Sequence, residues 1–415
     1  MMSTTHQTRP RSLWFLMLAA LAGACGTAAS QNFSLGLADD NPLGIGNFVP
    51  TRMQLLEDTG GIESGIKGAF GAMVALQTVY DSNFFLTEND TESELSLNLT
   101  PALSYTTDPE GGAIWTFSAN YEPTYRAFLE NSDLNDLDQS GDVQLSFQGA
   151  RTKASIFARY EELSGTDRLT GNFNSGSLFT GGILASREIA ARTSINGGMS
   201  YAQSDYSTGD QEGSDMFTAH AGGLWSASER TSVGSTLRYT RSESDNTGSR
   251  DAWALLGELR YRVGERIWLS ASLGPEFASD SESGDNTTSL RGDISSRYII
   301  NERWSWVNSL RSATIPSPSD AGYMVNNYGF ITSLEHQLLK ATVSGGIEFN
   351  YSIYDEVGTT TVPRDDEENV SLFLTYSRNL FSDRVSAYSS VRYNTNSGDT
   401  DWSQWLVSLG LSVPF

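Results

Sequence analysis

Cysteine is nearly absent from the 415 residues. The single one, Cys25, lies in the N-terminal stretch, so the chain beyond it has neither a disulfide nor a thiolate site. Histidine is scarce as well: His6, His220 and His336 are scattered, without the companions that a zinc site or a histidine-based catalytic set requires. Positive charge is outnumbered, 27 Lys and Arg against 50 Asp and Glu, and the net −23 excludes a general nucleic-acid surface. Beyond the N-terminal leader no apolar run reaches the ~18 residues of a membrane-crossing helix. Proline is sparse at 11 residues, and the apolar share of 38 % is below the usual globular value. No cofactor is expected from this inventory. What is plentiful is glycine, 39 residues, together with Ser, Thr, Asn and Tyr, a blend that favours strands over helices.

Residues 1–30 read as a secretory signal peptide, with Arg9 and Arg11 ahead of the apolar core Leu13 to Leu21 and small residues Ala28-Ala29-Ser30 before Gln31. A lipoprotein signal is the alternative, since Leu21 to Cys25 resembles a lipobox, although Ala22 stands where Leu is usual. Either way the chain is expected to leave the cytoplasm. Residues 31–66 carry no clean period and read as an irregular periplasmic segment, able to tuck into a lumen.

From residue 67 to 415 two kinds of connection alternate. Short ones recur about every 36 to 45 residues, often as a small or polar residue, an acid and an Arg, as in Ser228-Glu229-Arg230, Gly264-Glu265-Arg266 and Asn301-Glu302-Arg303. Long, acidic ones include Thr87 to Glu92, Glu130 to Asp142, Glu162 to Asn174, Asp355 to Asn369 and Asn394 to Asp401. Nine long and eight short connections imply eighteen strands (sixteen is the alternative), with both ends on the short-turn side. That parity and asymmetry predict an all-β fold: a single closed antiparallel transmembrane barrel with short periplasmic turns and long external loops.

The strands alternate accordingly. In the last eleven residues, Trp405, Val407, Leu409, Leu411, Val413 and Phe415 share one face. In Ile267 to Phe277 the apolar face is opposed by Ser270, Ser272, Gly274 and Glu276. Aromatics such as Tyr80, Tyr105, Tyr121, Tyr239, Trp304, Trp306, Tyr351 and Tyr393 fall at strand ends, as interfacial girdles require. With the apolar face toward lipid, parity places Arg126, Arg159, Glu161, Arg238, Glu258, Arg260 and Arg262 on the lumenal face. Arg291, Asp293, Arg297, Arg311, Glu348 and Arg392 follow by the same rule. They form either an arginine ladder facing acids across a pore, favouring anionic or sugar-like solutes, or paired wall charges that hold the strands. One loop, Asp136 to Asp142, spaces oxygen ligands as a calcium loop does, but Phe147 stands where its bidentate Glu belongs, so no metal is expected.

The first strands resemble the type 2 group of outer-membrane β-barrel porins. The matching stretches are V-Y-D-S-N-F-F-L (Val79 to Leu86), L-S-L-N-L-T-P-A-L-S-Y (Leu95 to Tyr105) and Y-E-P-T-Y-R-A-F-L-E-N (Tyr121 to Asn131). The ending on Phe415 likewise resembles barrels whose terminal aromatic is read by the insertion machinery. The resemblance implies an outer-membrane barrel, with some relatives linked to exopolysaccharide export, and implies no catalytic residues. The expectation is therefore a porin-like channel in the bacterial outer membrane for hydrophilic solutes, with outer-membrane lipid and the insertion machinery as partners. A plugged adhesive barrel and, with His220 and His336 both badly placed for it, a membrane hydrolase are the alternatives. Nothing in the pattern fixes an oligomeric state.

Overall fold

The computed structural model describes residues 70–108, 112–166, 173–206, 213–244, 248–281, 284, 286–316, 323–356, 365–380 and 385–415. The expected signal peptide at 1–30, the segment at 31–66 and the expected barrel start at 67 lie outside these residues. So do parts of several connections, among them Pro109 to Gly111 and Ser382 to Arg384.

Eighteen strands follow one another. The first six are β1 (Phe70–Asp81), β2 (Glu94–Thr106), β3 (Trp115–Phe128), β4 (Asp136–Gln148), β5 (Thr152–Thr166) and β6 (Phe173–Ala190). Next come β7 (Thr193–Tyr206), β8 (Ser214–Ser226), β9 (Thr231–Ser244), β10 (Gly248–Val263), β11 (Ile267–Asp280) and β12 (Asn286–Asn301). The last are β13 (Trp304–Pro316), β14 (Tyr323–Gln337), β15 (Ala341–Glu356), β16 (Glu367–Leu380), β17 (Val385–Ser397) and β18 (Trp402–Pro414). Each pairs antiparallel with its neighbours in sequence, and β1 also pairs with β18 from Met73↔Pro414 to Asp81↔Leu406, so the sheet closes on itself. Closure leaves no raw backbone edge.

Polarity is inverted relative to a water-soluble barrel. Along β2, Leu95, Leu97, Leu99 and Leu103 are exposed on the outside, while Ser96, Asn98 and Thr100 are buried within. β18 repeats this, with Leu409 62 % exposed and Ser408 6 %. The outer face is topped by tyrosines whose hydroxyls donate to carboxylates on the next strand or just before it: Tyr201 to Asp215 at 2.8 Å, Tyr239 to Asp251 at 2.5 Å and Tyr351 to Asp366 at 2.5 Å. Ring pairs such as Tyr239–Trp253 and Tyr393–Trp405 sit in the same belt, with centroids 4.7 and 4.8 Å apart.

Proline marks the one long break in the ladder between β2 and β3. Pairing stops after Leu99↔Tyr125 and resumes at Leu103↔Tyr121, skipping Pro101 and Pro123, which have no N–H to give. A side-chain hydrogen bond between Thr100 and Thr124, 2.7 Å, closes the gap on the inner face.

Most of the long connections are shorter than the sequence suggests, whereas the one expected at Thr87 to Glu92 is longer and runs over residues 82–93. The strands run 12 to 18 residues and continue into the acidic stretches. Of the loop expected at Glu130 to Asp142, residues from Asp136 onward belong to β4; of Asn394 to Asp401, only 398–401 lie between strands. Asp and Asn disfavour a strand only weakly when each backbone group finds a ladder partner, so hydrogen bonding overrides local composition here. Asp136 to Asp142 is accordingly extended, with alternate side chains on opposite faces, and cannot wrap a calcium ion. Outward polarity also departs from strict alternation in places, clearly so across β12 to β14. Trp306 donates to Thr332 (2.7 Å), Thr332 to Asn308 (2.8 Å) and Asn308 to Ser296 (3.3 Å) across β12 to β14.

Candidate functional site

Directly opposed residues of an antiparallel ladder project to the same side, so the register carries the inner face around the whole ring. It runs from Gln77↔Asn98 and Asn98↔Arg126 through Asp142↔Arg159, Gly198↔His220, His220↔Arg238 and Asp293↔Arg311 to Ser371↔Asn394. All thirteen charged residues expected inside fall on this face: Arg126, Arg159, Glu161, Arg238, Glu258, Arg260, Arg262, Arg291, Asp293, Arg297, Arg311, Glu348 and Arg392. His220 also points inward, whereas His336 lies outside, its ring stacked 4.0 Å from that of Trp304.

Several of these charges pair along the wall rather than across the bore. Arg291 meets Glu276 at 2.8 Å with both side chains buried, and Arg126 meets Asp138 at 2.9 Å while donating to the Ser164 carbonyl at 2.6 Å. Arg159–Glu161 and Arg392–Glu348 lie 2.5 and 3.1 Å apart. Glu276 and Asp138 are functional-face residues that site selection from the sequence missed. Glu276 was within reach, since it shares parity with Ser270 and Ser272. Asp138 was hidden by the calcium-loop reading, which took its strand for a loop.

The most organised part of the interior spans β8 to β13, where a cavity of about 850 Å³ is lined by seven arginines and three carboxylates. In a chain of net −23 that is a local reversal of sign. The register resolves it into rungs. One carries Glu258, Ser272, Asp293 and Arg311 side by side on β10, β11, β12 and β13. The next carries Arg260, Ser270, Ser295 and Ser309. The third, nearest the short turns, carries Arg262, Trp268, Arg297 and Val307. Trp268 is thus flanked by two arginines on the neighbouring strands, and the guanidinium of Arg262 stands 5.2 Å from its ring centroid. Arg262 Nε also donates to the Gly264 carbonyl at 3.2 Å, which fixes its approach to the ring.

Beside these rungs, glycine makes room for polar side chains. A Cβ on Gly222 would stand 2.2 Å from Thr236 Oγ1 and 2.8 Å from Asn196 Oδ1, so only glycine lets the two converge. Thr236 in turn donates to Glu258. His220, 9 % exposed, lines the same cavity, and neither ring nitrogen has a hydrogen-bond partner among the described residues. No nucleophile–base pair is formed there.

At the opposite end the connection from β1 to β2, residues 82–93, folds inward. Phe84 is buried against Phe128 and Phe173, with centroids 5.1 and 5.7 Å away, and Leu86 is buried beside them. Asn83 anchors the fold-back, donating to the carbonyls of Thr87 (2.8 Å) and Ser403 (3.0 Å). A buried chain continues from it: Asn83 N–H to Asp81, Gln404 to Asp81, Asn394 to Gln404 and Ser371 to Asn394, at 2.9, 2.7, 3.0 and 2.7 Å. Glu94 secures the next connection by accepting from the backbone N–H groups of Leu129, Glu130 and Asn131 at 2.9, 3.1 and 2.9 Å. Phe415 is exposed, its N–H donating to the Ala72 carbonyl at 2.8 Å.

No protein-family profile matches the chain, and no curated protein matches it in sequence. Solved structures resemble it in shape. The outer membrane protein OpdK of Pseudomonas aeruginosa is 12 % identical, with TM-score 0.47, over 85 % of this chain and 100 % of that one. OpdQ of the same organism is 8 % identical, with TM-score 0.44, over 83 % and 98 %. The FrpB iron transporter of Neisseria meningitidis (F3-3 variant) is 8 % identical, with TM-score 0.44, over 80 % of this chain and 63 % of its own length. At such identities and scores the likeness extends to no substrate, partner or mechanism.

Proposed function

We propose that the chain is a channel of the bacterial outer membrane through which hydrophilic solutes pass, with a preference for anionic or saccharide ones. One observation carries the reading: a closed eighteen-stranded ring with leucine outside and serine, asparagine and arginine inside. Water would reject that exterior, and hydrocarbon would reject an open sheet. Barrels of this strand number leave a bore wide enough for water. The tyrosine–carboxylate belt supports a headgroup boundary at the end opposite the short turns, which this reading places in the periplasm. Export by a signal at 1–30 and insertion guided by Phe415 belong to the same proposal, with outer-membrane lipid as its surroundings.

The arginine-rich cavity supports the anionic preference, because a fixed positive wall raises the local concentration of anions. The test is single-channel recording of the detergent-purified barrel in planar bilayers. Discrete current steps are expected, with a reversal potential in a KCl gradient that favours chloride. A protein that forms a folded barrel yet gives no steps, or that favours potassium, would overturn the channel or its selectivity respectively. The inward Phe84 connection supports a narrowed mouth, so the steps should be small for a ring of this size.

A further inference from the structure

The cavity over β10 to β13 is graded by rung, and the grading selects among ligands. A bare inorganic anion would gain from the arginines but be repelled by Glu258 and Asp293. A neutral sugar would use those carboxylates as hydroxyl acceptors but leave the surplus of guanidiniums idle. An aromatic acid would stack on Trp268 and meet Arg262 or Arg297, yet leave the serine rung without partners. One chemistry uses both rungs nearest the short turns. A sugar ring lays its C–H face on an indole, its hydroxyls reach the serines of the next rung, and an attached anion sits on guanidinium, clear of the carboxylate rung beyond.

From this the geometry points to a built-in binding site for an acidic sugar, a single pyranose bearing a carboxylate or phosphate, on the Arg262–Trp268–Arg297 rung. The ring stacks on Trp268, whose orientation is held by the Arg262 guanidinium on one side, and the anion is taken by Arg297 or Arg262. Ser270 and Ser295, one rung further in, meet the ring hydroxyls. Arg262, Trp268 and Arg297 stand side by side on three neighbouring strands, so the ligand binds flat against the wall rather than threading between opposite walls. The site deepens, and rests on, the reading of the barrel as a channel, because solute must enter the bore to reach it.

The test is isothermal titration of the detergent-purified protein with D-glucuronate, glucose 6-phosphate, glucose and benzoate in turn. Saturable binding of glucuronate or glucose 6-phosphate is expected, about tenfold or more tighter than glucose or benzoate. The stronger of the two tells carboxylate from phosphate. Trp268→Ala should weaken the acidic sugar by about tenfold, Trp268→Phe should restore part of the loss, and Arg297→Gln should erase the gap between acidic and neutral sugar. His336→Gln, on the outer face, should change nothing. Heat-dependent gel mobility identifies variants that fold, and Trp268→Phe keeps the question open to an answer if Trp268→Ala does not. The site is refuted if no probe binds saturably; glucose equal to glucuronate removes the anion, and benzoate equal to it removes the sugar. Current steps in plain KCl with no binding would sink the site alone, whereas binding without steps would sink the channel and spare the site.

Discussion

A buried ion pair is worth most when one partner is taken away. Glu276 and Arg291 are both nearly inaccessible, so Glu276→Leu would take away the carboxylate that meets the Arg291 guanidinium at 2.8 Å inside the wall. A loss of about 3 kcal/mol follows from such a break, measured as a lower urea midpoint for barrel unfolding in micelles. Glu276→Leu with Arg291→Met should recover most of it, because two apolar chains of similar volume fill the same space without a stranded charge. Outside, the rule reverses. Leu409→Arg puts a charge where the surface is apolar and should cost about 2 to 4 kcal/mol by the same assay, whereas Ser408→Ala, one residue away on the inner face, should cost far less. That contrast between neighbours reads the direction of each face directly.

Elements show where composition informs and where it misleads. The period of two seen in I-W-L-S-A-S-L-G-P-E-F and in the last strand runs through the charged strands as well, and their register puts the thirteen expected charges on one side of the sheet, because a pleated strand offers no third direction. Connections are less legible. Asp136 to Asp142 is polar enough to read as a loop, yet its backbone pairs with β3 and β5, and pairing depends on neighbours that a local reading does not see. The inward fold of residues 82–93 was equally hidden. Its anchors, Thr87 and Ser403, lie 4 and 320 residues from Asn83. The grid of rungs needed the register itself, since Trp268 and Arg297 come together only once β11 and β12 are aligned. At this scale Phe84→Ala should loosen the fold-back, remove a buried ring from the Phe128–Phe173 cluster, and raise single-channel conductance without altering ion preference. Glu94→Gln should weaken three backbone hydrogen bonds and destabilise by about 2 kcal/mol, seen as faster amide exchange at Leu129 to Asn131.

For the whole molecule, charge is distributed by purpose rather than averaged. The chain is strongly acidic, yet the interior cavity over β8 to β13 is rich in arginine, and the outer rim carries the carboxylates that tyrosine hydroxyls engage. Net charge averages over this local reversal, which only the parity of the arginines along each strand reveals. The ring has a clasp as well. Asp81 on the first strand and Gln404 on the last, 323 positions apart in the chain, are bonded beside the main-chain pairing of the same two strands. Such a fastening cannot be assembled piecemeal: until the final strand arrives, two unsatisfied margins stay open, each able to recruit a foreign strand. Cutting the Asp81–Gln404 link should therefore show itself less in the finished object than in the time taken to complete it and in the fraction lost to aggregation on the way.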